Sequence, residues 1–187
     1  MKFSLHLLLI LSLVLTFSCK KEIPGGNEKL PDLVVKLDAK KGGTAFDSID
    51  FALVEQKGST GESAGGSHQK LTNLFVLQVS PDLSKVGPRF GVNTSLTSIS
   101  TTTIDMANPP SGMIPTTMTY TSSDSKSYQA NSGTLKIVKA DLYQDIGVGA
   151  ADYFVDFEVN LTLVNVNDAS DVITLEGDLL GVNIKQQ

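Results

Sequence analysis

The sequence predicts an all-β domain, and three observations carry this prediction. Apolar and polar residues alternate with a period of two in several short segments, as in strands with one buried face. Gly, Ser, Asn and Asp separate these segments at intervals of roughly 8 to 14 residues, as in sandwiches and small barrels. No stretch of roughly ten residues shows a convincing hydrophobic stripe of helical period. We therefore predict a single antiparallel β-sandwich or small β-barrel of roughly seven to nine strands.

The clearest strand is the segment from Tyr153 to Val164, YFVDFEVNLTLV. One face carries the apolar residues Tyr153, Val155, Phe157, Val159, Leu161 and Leu163. The opposite face carries Asp156, Glu158, Asn160 and Thr162. We expect the first face to pack on the core and the second to meet water, as antiparallel sheets allow.

The same reasoning predicts strands on both sides of this segment. Before it, residues 33–37, 49–53, 71–79 and 132–137 show apolar alternation or follow a turn. After it comes VITLEGDLLGVNI, in which the apolar residues change parity near Leu180-Gly181. This slip predicts a β-bulge in which the glycine supplies the unusual backbone dihedral.

The chain begins MKFSLHLLLILSLVLTFSCKKE, which contains its only cysteine, Cys19. The apolar run from Leu7 to Leu15 is interrupted only by Ser12. It is much shorter than the roughly 20 residues needed to span a bilayer, and it fits the apolar region of a secretory signal peptide. A cysteine directly after a small residue, Ser18, resembles the processing site of bacterial lipoproteins. The resemblance implies diacylglycerol on the Cys19 sulfur and cleavage before that residue.

The predicted organisation has three parts. Residues 1–18 form the signal peptide, and residues 19–31 form a lipidated flexible tether because KKEIPGGNEKLP is rich in Pro, Gly and charge. Residues 32–187 form the single all-β domain. Lys20-Lys21-Glu22 resembles export signals of outer-membrane lipoproteins, which implies anchoring in the outer membrane, facing the periplasm or the cell surface. The order of SGTLKIVK, FVDFEVNLTLVN and VITLEGDLLGVNI also resembles small all-β lipoprotein domains of unassigned function.

Composition excludes several functional classes. The formal net charge is −5 and no basic patch with aromatic residues occurs, so we expect no nucleic-acid partner. With Cys19 used for lipid, disulfides and thiolate chemistry are excluded. We predict no cofactor.

His68 would be the only histidine of the mature chain, and it lies in the glycine-rich segment KGSTGESAGGSHQK. We expect a mobile loop there with His68 exposed, and no catalytic or metal role for it.

Four carboxylates offer the one enzymatic alternative. Asp156 and Glu158 share a face, and pairing of the last two strands would bring Glu176 and Asp178 near them. Two carboxylates roughly 5 to 10 Å apart are what a glycosidase needs. The competing interpretation is a solvated sheet face that is kept charged for solubility, with pairing of its carboxylates to Lys136. The absence of Trp disfavours a sugar-cleaving site, and we predict no catalytic residues.

Three further segments have two interpretations each. The oxygen ligands Asn165, Asn167, Asp168 and Asp171 are weak candidates for calcium, although a plain hairpin loop is favoured. The uncharged segment 93–104, NTSLTSISTTTI, is either one or two hydroxyl-rich strands or an edge for a partner chain. A proline-rich crossing loop follows. Its apolar side chains either form an exposed lip or pack over a barrel end; they are Met106, Met113 and Ile114.

The functional expectation is a membrane-anchored envelope lipoprotein with a non-enzymatic β-domain that binds a ligand or has a structural role. The partners expected are the membrane, through lipid on Cys19, and an envelope protein, a glycan or a small apolar ligand. One alternative is a carboxylate-dependent hydrolase, which requires Asp156, Glu158, Glu176 or Asp178 to converge in a concave site. Another is a lipocalin-like carrier, which requires a closed barrel with an apolar cavity.

Overall fold

The computed structural model describes residues 29–56, 63–82 and 87–187. The predicted signal peptide, Cys19 and most of the predicted tether lie outside the described residues, as do residues 57–62 of the predicted mobile loop. The described residues form β1 Leu33–Lys41, β2 Thr44–Leu53, β3 Ser63–Gln69, β4 Leu74–Ser80, β5 Arg89–Ser95, β6 Thr102–Asp105, β7 Thr117–Thr121, β8 Ser127–Gly147, β9 Ala150–Asn165 and β10 Asp168–Gln186. One turn of 3-10 helix, Val54–Gln56, follows β2. The all-β prediction is confirmed.

Strand pairing closes into a ring that runs β10–β3–β4–β5–β7–β8–β9 and back to β10. The hairpin β1–β2 lies outside this ring, where β1 pairs with residues 174–180 of β10, while β6 pairs with the middle of β8. All neighbours are antiparallel except β3 and β10, which are parallel. The fold is thus barrel-like, with two strands added on one side and one on another.

The described residues hold ten strands, more than predicted, and the main reason is β3. Its sequence, SAGGSHQ, lacks the apolar alternation of a strand, and we expected a mobile loop there. The structure corrects this expectation for Ser63–Gln69. Only Ala64 and His68 of this strand are buried, but β4 and β10 pair with its backbone on both sides. Main-chain hydrogen bonding therefore defines this strand, and apolar side chains contribute little.

The predicted strand around Tyr153–Val164 is confirmed as β9, and its apolar face packs on the core. The predicted bulge in β10 is confirmed as well. The register between β9 and β10 shifts between Leu179 and Val182, and Gly181 has a φ of 68°. Because a positive φ is costly for residues with a Cβ, glycine allows β10 to bend here. The bend separates the part of β10 that pairs with β1 from the part that pairs with β3.

Alternation of strand direction gives the ring two ends. One end carries the β3–β4 turn, the connection from β5 to β7, the β8–β9 turn and the C-terminus. It also carries five exposed apolar side chains: Leu71, Met113, Leu142, Ile146 and Val148. We call it the apolar end. The opposite end carries the β1–β2, β7–β8 and β9–β10 turns and is rich in charged side chains, so we call it the charged end. Within the described residues, no helix is long and apolar enough to cross a membrane.

Candidate functional site

The candidate site is an open cleft of about 460 Å³ at the apolar end. It lies between the β3–β4 turn and the connection from β5 to β7. Its lining includes Leu71, Asn73, Ser95, Thr97, Thr102 and Met113. Hydroxyl, amide and apolar groups therefore line the cleft, and none of its lining residues carries a charge.

Two exposed apolar side chains stand at the rim of this cleft. Leu71 is 101% exposed and Met113 is 84% exposed. Of the two interpretations of the proline-rich loop, the exposed lip holds for Met113, while Met106 packs against the core. Leu71 was predicted to begin a strand, but it lies in the turn before β4. Exposed apolar groups beside a concave surface are typical of binding sites.

Ser95 is the most informative polar residue of the cleft. It is 6% exposed, and its hydroxyl has no hydrogen-bond partner among the described residues. Gly112 lies directly over it, since a Cβ at that position would approach the Ser95 Oγ to 1.8 Å. Buried hydroxyls are nearly always hydrogen-bonded, because leaving one unpaired costs free energy. The Ser95 hydroxyl is therefore a polar group of the cleft lining whose hydrogen-bonding capacity the described residues do not use.

A buried histidine is hydrogen-bonded to the backbone that lines the cleft. His68 is fully buried in β3, so the expectation of an exposed loop histidine is wrong. Its Nε2 lies 2.8 Å from the carbonyl oxygen of Leu96, which lines the cleft, and must donate because a carbonyl only accepts. Its Nδ1 lies 3.3 Å from the side-chain oxygen of Gln186. The hydrogen bond to Leu96 therefore anchors the His68 ring beneath the cleft floor, and the Gln186 side chain lies beside the other ring nitrogen.

The C-terminal residues connect this floor to the β8–β9 turn. The side-chain amide of Gln186 donates to the carbonyl oxygen of Gly149 at 3.4 Å. The backbone amide of Lys70 donates to the carbonyl oxygen of Gln187 at 2.9 Å. Two exposed turns, β3–β4 and β8–β9, are thus tied to the same chain terminus.

The predicted calcium residues form a different site at the charged end. Asp171 is 7% exposed, and its Oδ1 pairs with the Lys41 ammonium at 2.7 Å. Its Oδ2 accepts hydrogen bonds from Tyr128 and Asn165, both at 3.1 Å. The Lys41 ammonium thus provides a positive charge where a cation would have to bind. This cluster connects β1, β8, β9 and β10.

The remaining calcium candidates are also engaged locally. The Asn165 side-chain oxygen accepts from the Asn167 amide at 2.9 Å, and Asp168 accepts from the backbone and hydroxyl of Ser170. β10 begins at Asp168, so the turn is shorter than the predicted loop from Asn165 to Asp171. Within the described residues, no group of three or more His, Cys, Asp and Glu side chains is arranged to hold a metal ion.

Electrostatics at the charged end follow from these contacts. The Lys41 hydrogen bond, with help from Asn165 and Tyr128, lowers the pKa of Asp171 below its usual value. Burial, and then the hydrogen bond to Asp171, raise the pKa of Tyr128 to about 12. The cluster is therefore most stable with an ionised Asp171 and a neutral Tyr128.

The four carboxylates of the enzymatic alternative lie on the outer polar face and do not share a concave site. Glu158 pairs with Lys136 at 3.1 Å, and Glu176 pairs with Lys40 at 2.7 Å. Asp156 accepts from the backbone amide of Gly181 at 2.7 Å, and Asp178 is exposed opposite Glu158.

A second open cleft of about 440 Å³ lies where the described chain begins, and it differs in chemistry. It is lined by charged and aromatic residues that include Lys29, Lys139, Tyr143 and Asp156. These charges have partners of their own: Lys29 pairs with Glu55 at 2.9 Å, and Lys139 pairs with Asp141 at 2.6 Å. This cleft places the beginning of the described chain beside the base of the β8–β9 hairpin.

Sequence reasoning did not identify Ser95, Leu71 or Gly112 as site residues. The signal available was the hydroxyl-rich segment 93–104, which supplies part of the cleft wall from Ser95 to Thr102. No protein-family model matches the chain. Comparison with curated proteins and with solved structures found no significant similarity.

Proposed function

We propose that this protein is a lipid-anchored envelope protein whose β-domain is a non-enzymatic binding module, with its ligand site in the cleft at the apolar end. The observation that carries the proposal is the unpartnered hydroxyl of Ser95 in a cleft without charged lining residues. Such a cleft suits a neutral ligand that combines hydroxyl groups with an apolar part. A glycan or an uncharged amphiphile has this chemistry.

Two features support a binding module over the alternatives. Asp156, Glu158 and Glu176 each have a partner on the outer sheet face, which disfavours a hydrolase. The ring interior is occupied by apolar side chains that form one core, which disfavours a lipocalin-like carrier. The surface cleft is then the better place for a ligand.

The binding site is tested with a simple probe, n-octyl glucoside below its micellar concentration. We expect it to perturb the amide resonances of Thr97 and Gly112. Ser95→Ala should abolish this binding without loss of stability, because removing a buried hydroxyl that has no partner is neutral or stabilising.

Ser80→Ala is the matched control. Ser80 is also buried with an unpartnered hydroxyl, but it lies at the end of β4 away from the candidate cleft. Ser80→Ala should leave the probe response unchanged. Equal responses of the wild type and Ser95→Ala to the probe would contradict the proposed site.

The anchor is tested separately through Cys19, which lies outside the described residues. Replacing Cys19 with Ala should leave the chain unprocessed and block its labelling by a radioactive fatty acid. Labelling that persists in this variant would contradict the lipid anchor while leaving the cleft proposal untouched.

A further inference from the structure

The β8–β9 hairpin ends in an apolar tip that the fold does not bury. Ile146 is 58% exposed and Val148 is 111% exposed, on either side of Gly147. Leu142, nearer the base of the hairpin, is 57% exposed. Exposing several large apolar side chains on one projecting hairpin is unfavourable unless they are covered in use.

The beginning of the described chain lies close to the base of the same hairpin. Lys29 and Pro31 line one cleft together with Leu142 and Tyr143. Only about ten residues separate Cys19 from Lys29. A chain of ten residues reaches at most about 35 Å when fully extended. From Leu142 to Val148 the hairpin extends roughly 20 Å. The tip can therefore reach any surface to which Cys19 is attached.

We propose that the tip formed by Ile146 and Val148 docks into the lipid bilayer, so that the domain stands with its apolar end on the membrane. This inference rests on the proposed anchor at Cys19 for its geometry. The other exposed apolar residues of this end, Leu71 and Met113, would then face the lipid surface together with the cleft that they border. The ligand site would open toward the membrane.

Charge does not explain docking at this tip. The Asp145 carboxylate accepts a hydrogen bond from the Gly147 amide at 2.9 Å and so belongs to the turn itself. Asp141 pairs with Lys139, and Asp152 lies opposite Lys185 in the sheet. Acidic and basic groups are thus mixed around the hairpin. Docking should depend on apolar burial, and it should persist in 1 M salt, where the screening length is about 3 Å.

The experiment uses the absence of Trp and the single Cys of this chain. A chain from Cys19 to Gln187 is made without the signal peptide and coupled through Cys19 to a maleimide lipid in phosphatidylcholine vesicles. This coupling replaces cellular lipidation, so the result does not depend on whether cells modify Cys19. The variant Val148→Trp reports the environment of the tip. The variant Val166→Trp, at the β9–β10 turn of the charged end, is the matched control because Val166 is 57% exposed.

We expect the tryptophan emission of the Val148→Trp variant to shift to shorter wavelength on vesicles and to be quenched by lipids brominated in the acyl chain. The Val166→Trp variant should show neither effect. In the Val148→Trp background, Ile146→Ser should lower the docked-to-undocked ratio roughly tenfold, since burying an Ile side chain contributes at least ~1.4 kcal/mol.

Two results would overturn the proposal. One is equal emission spectra for the two tethered tryptophan variants. The other is an emission shift of the Val148→Trp variant that needs no vesicles and rises with protein concentration, because a second copy of the chain would then cover the tip.

Discussion

Both ends of the strand ring carry exposed turns, but the side chains of these turns are paired at one end and exposed at the other. At the charged end, Asp171 is buried with donors around both carboxylate oxygens, and the turns there are closed by hydrogen bonds. At the apolar end, Leu71 and Val148 are fully exposed and the Ser95 hydroxyl lacks a partner among the described residues. Hydrogen-bonded turns around a buried ion pair contribute to stability, whereas large exposed apolar side chains beside a cleft indicate interaction. We therefore propose that the charged end mainly stabilises the fold and that the apolar end carries the binding site.

The largest effect is expected where the charged end is most buried. Asp171→Ala removes the acceptor for Lys41, Tyr128 and Asn165 together. We expect the melting temperature to fall by roughly 5–10 °C, the scale on which loss of a buried network acts in a domain of this size. Asp168→Ala, in the same turn but exposed, should cost much less. Similar melting temperatures for both variants would break the assignment of stability to the Asp171 cluster.

The same cluster predicts how stability depends on pH. Because the pKa of Asp171 is lowered in the folded state, its contribution is present above the unfolded value of about 3.9 and is lost as the pH falls through the folded value. The raised pKa of Tyr128 removes stability as the pH rises from about 10 towards about 12. Urea denaturation across pH tests both limits. Asp171→Asn should flatten the acid limb, and an unchanged limb would contradict the role of this carboxylate.

The apolar end has one buried polar network, around His68, and it should matter less than the Asp171 cluster. His68→Leu leaves the Leu96 carbonyl without its donor, and we expect a loss of about 1–3 kcal/mol in the free energy of unfolding. Amide exchange should also increase in the β3–β4 turn and around Gly149. A destabilisation without any change in exchange at these turns would show that His68 does not fix the cleft floor.

The smallest effect is expected on the outer sheet face. Glu158 lies opposite Asp178 in the register of β9 and β10, and like charges in that arrangement repel each other. Its ion pair with Lys136 is exposed and contributes little. Glu158→Gln should change the free energy of unfolding by no more than about 0.5 kcal/mol in either direction. A large loss of stability would mean that this face has a structural role that its exposure does not indicate.

The fold was predictable from sequence where apolar periodicity decides it, as in β9 and in the β10 bulge at Gly181. It was not predictable for β3, because main-chain pairing on both sides makes a strand from a segment rich in small residues. The same error placed His68 on the surface. Whether a histidine is buried depends on the pairing of the strand that carries it. The sequence around His68 does not indicate that pairing.

The candidate site was less accessible to sequence reasoning. The hydroxyl-rich segment 93–104 predicts either hydroxyl-rich strands or an edge for a partner chain, but its cleft depends on the approach of Gly112 to Ser95. The acidic candidate residues, Glu158 and Asp171 among them, have partners on the sheet face or within the charged end. Residue type alone does not reveal whether a carboxylate already has a partner.

The most direct test of the difference between the two ends is hydrogen exchange of the otherwise unmodified chain, tethered through Cys19 to phosphatidylcholine vesicles and compared with the free chain. Binding at the apolar end predicts slower exchange in the β3–β4 turn and in residues 146–149, with no change in residues 122–126 and 166–167 of the charged end. Slower exchange at the charged end, or no change at either end, would contradict the assignment.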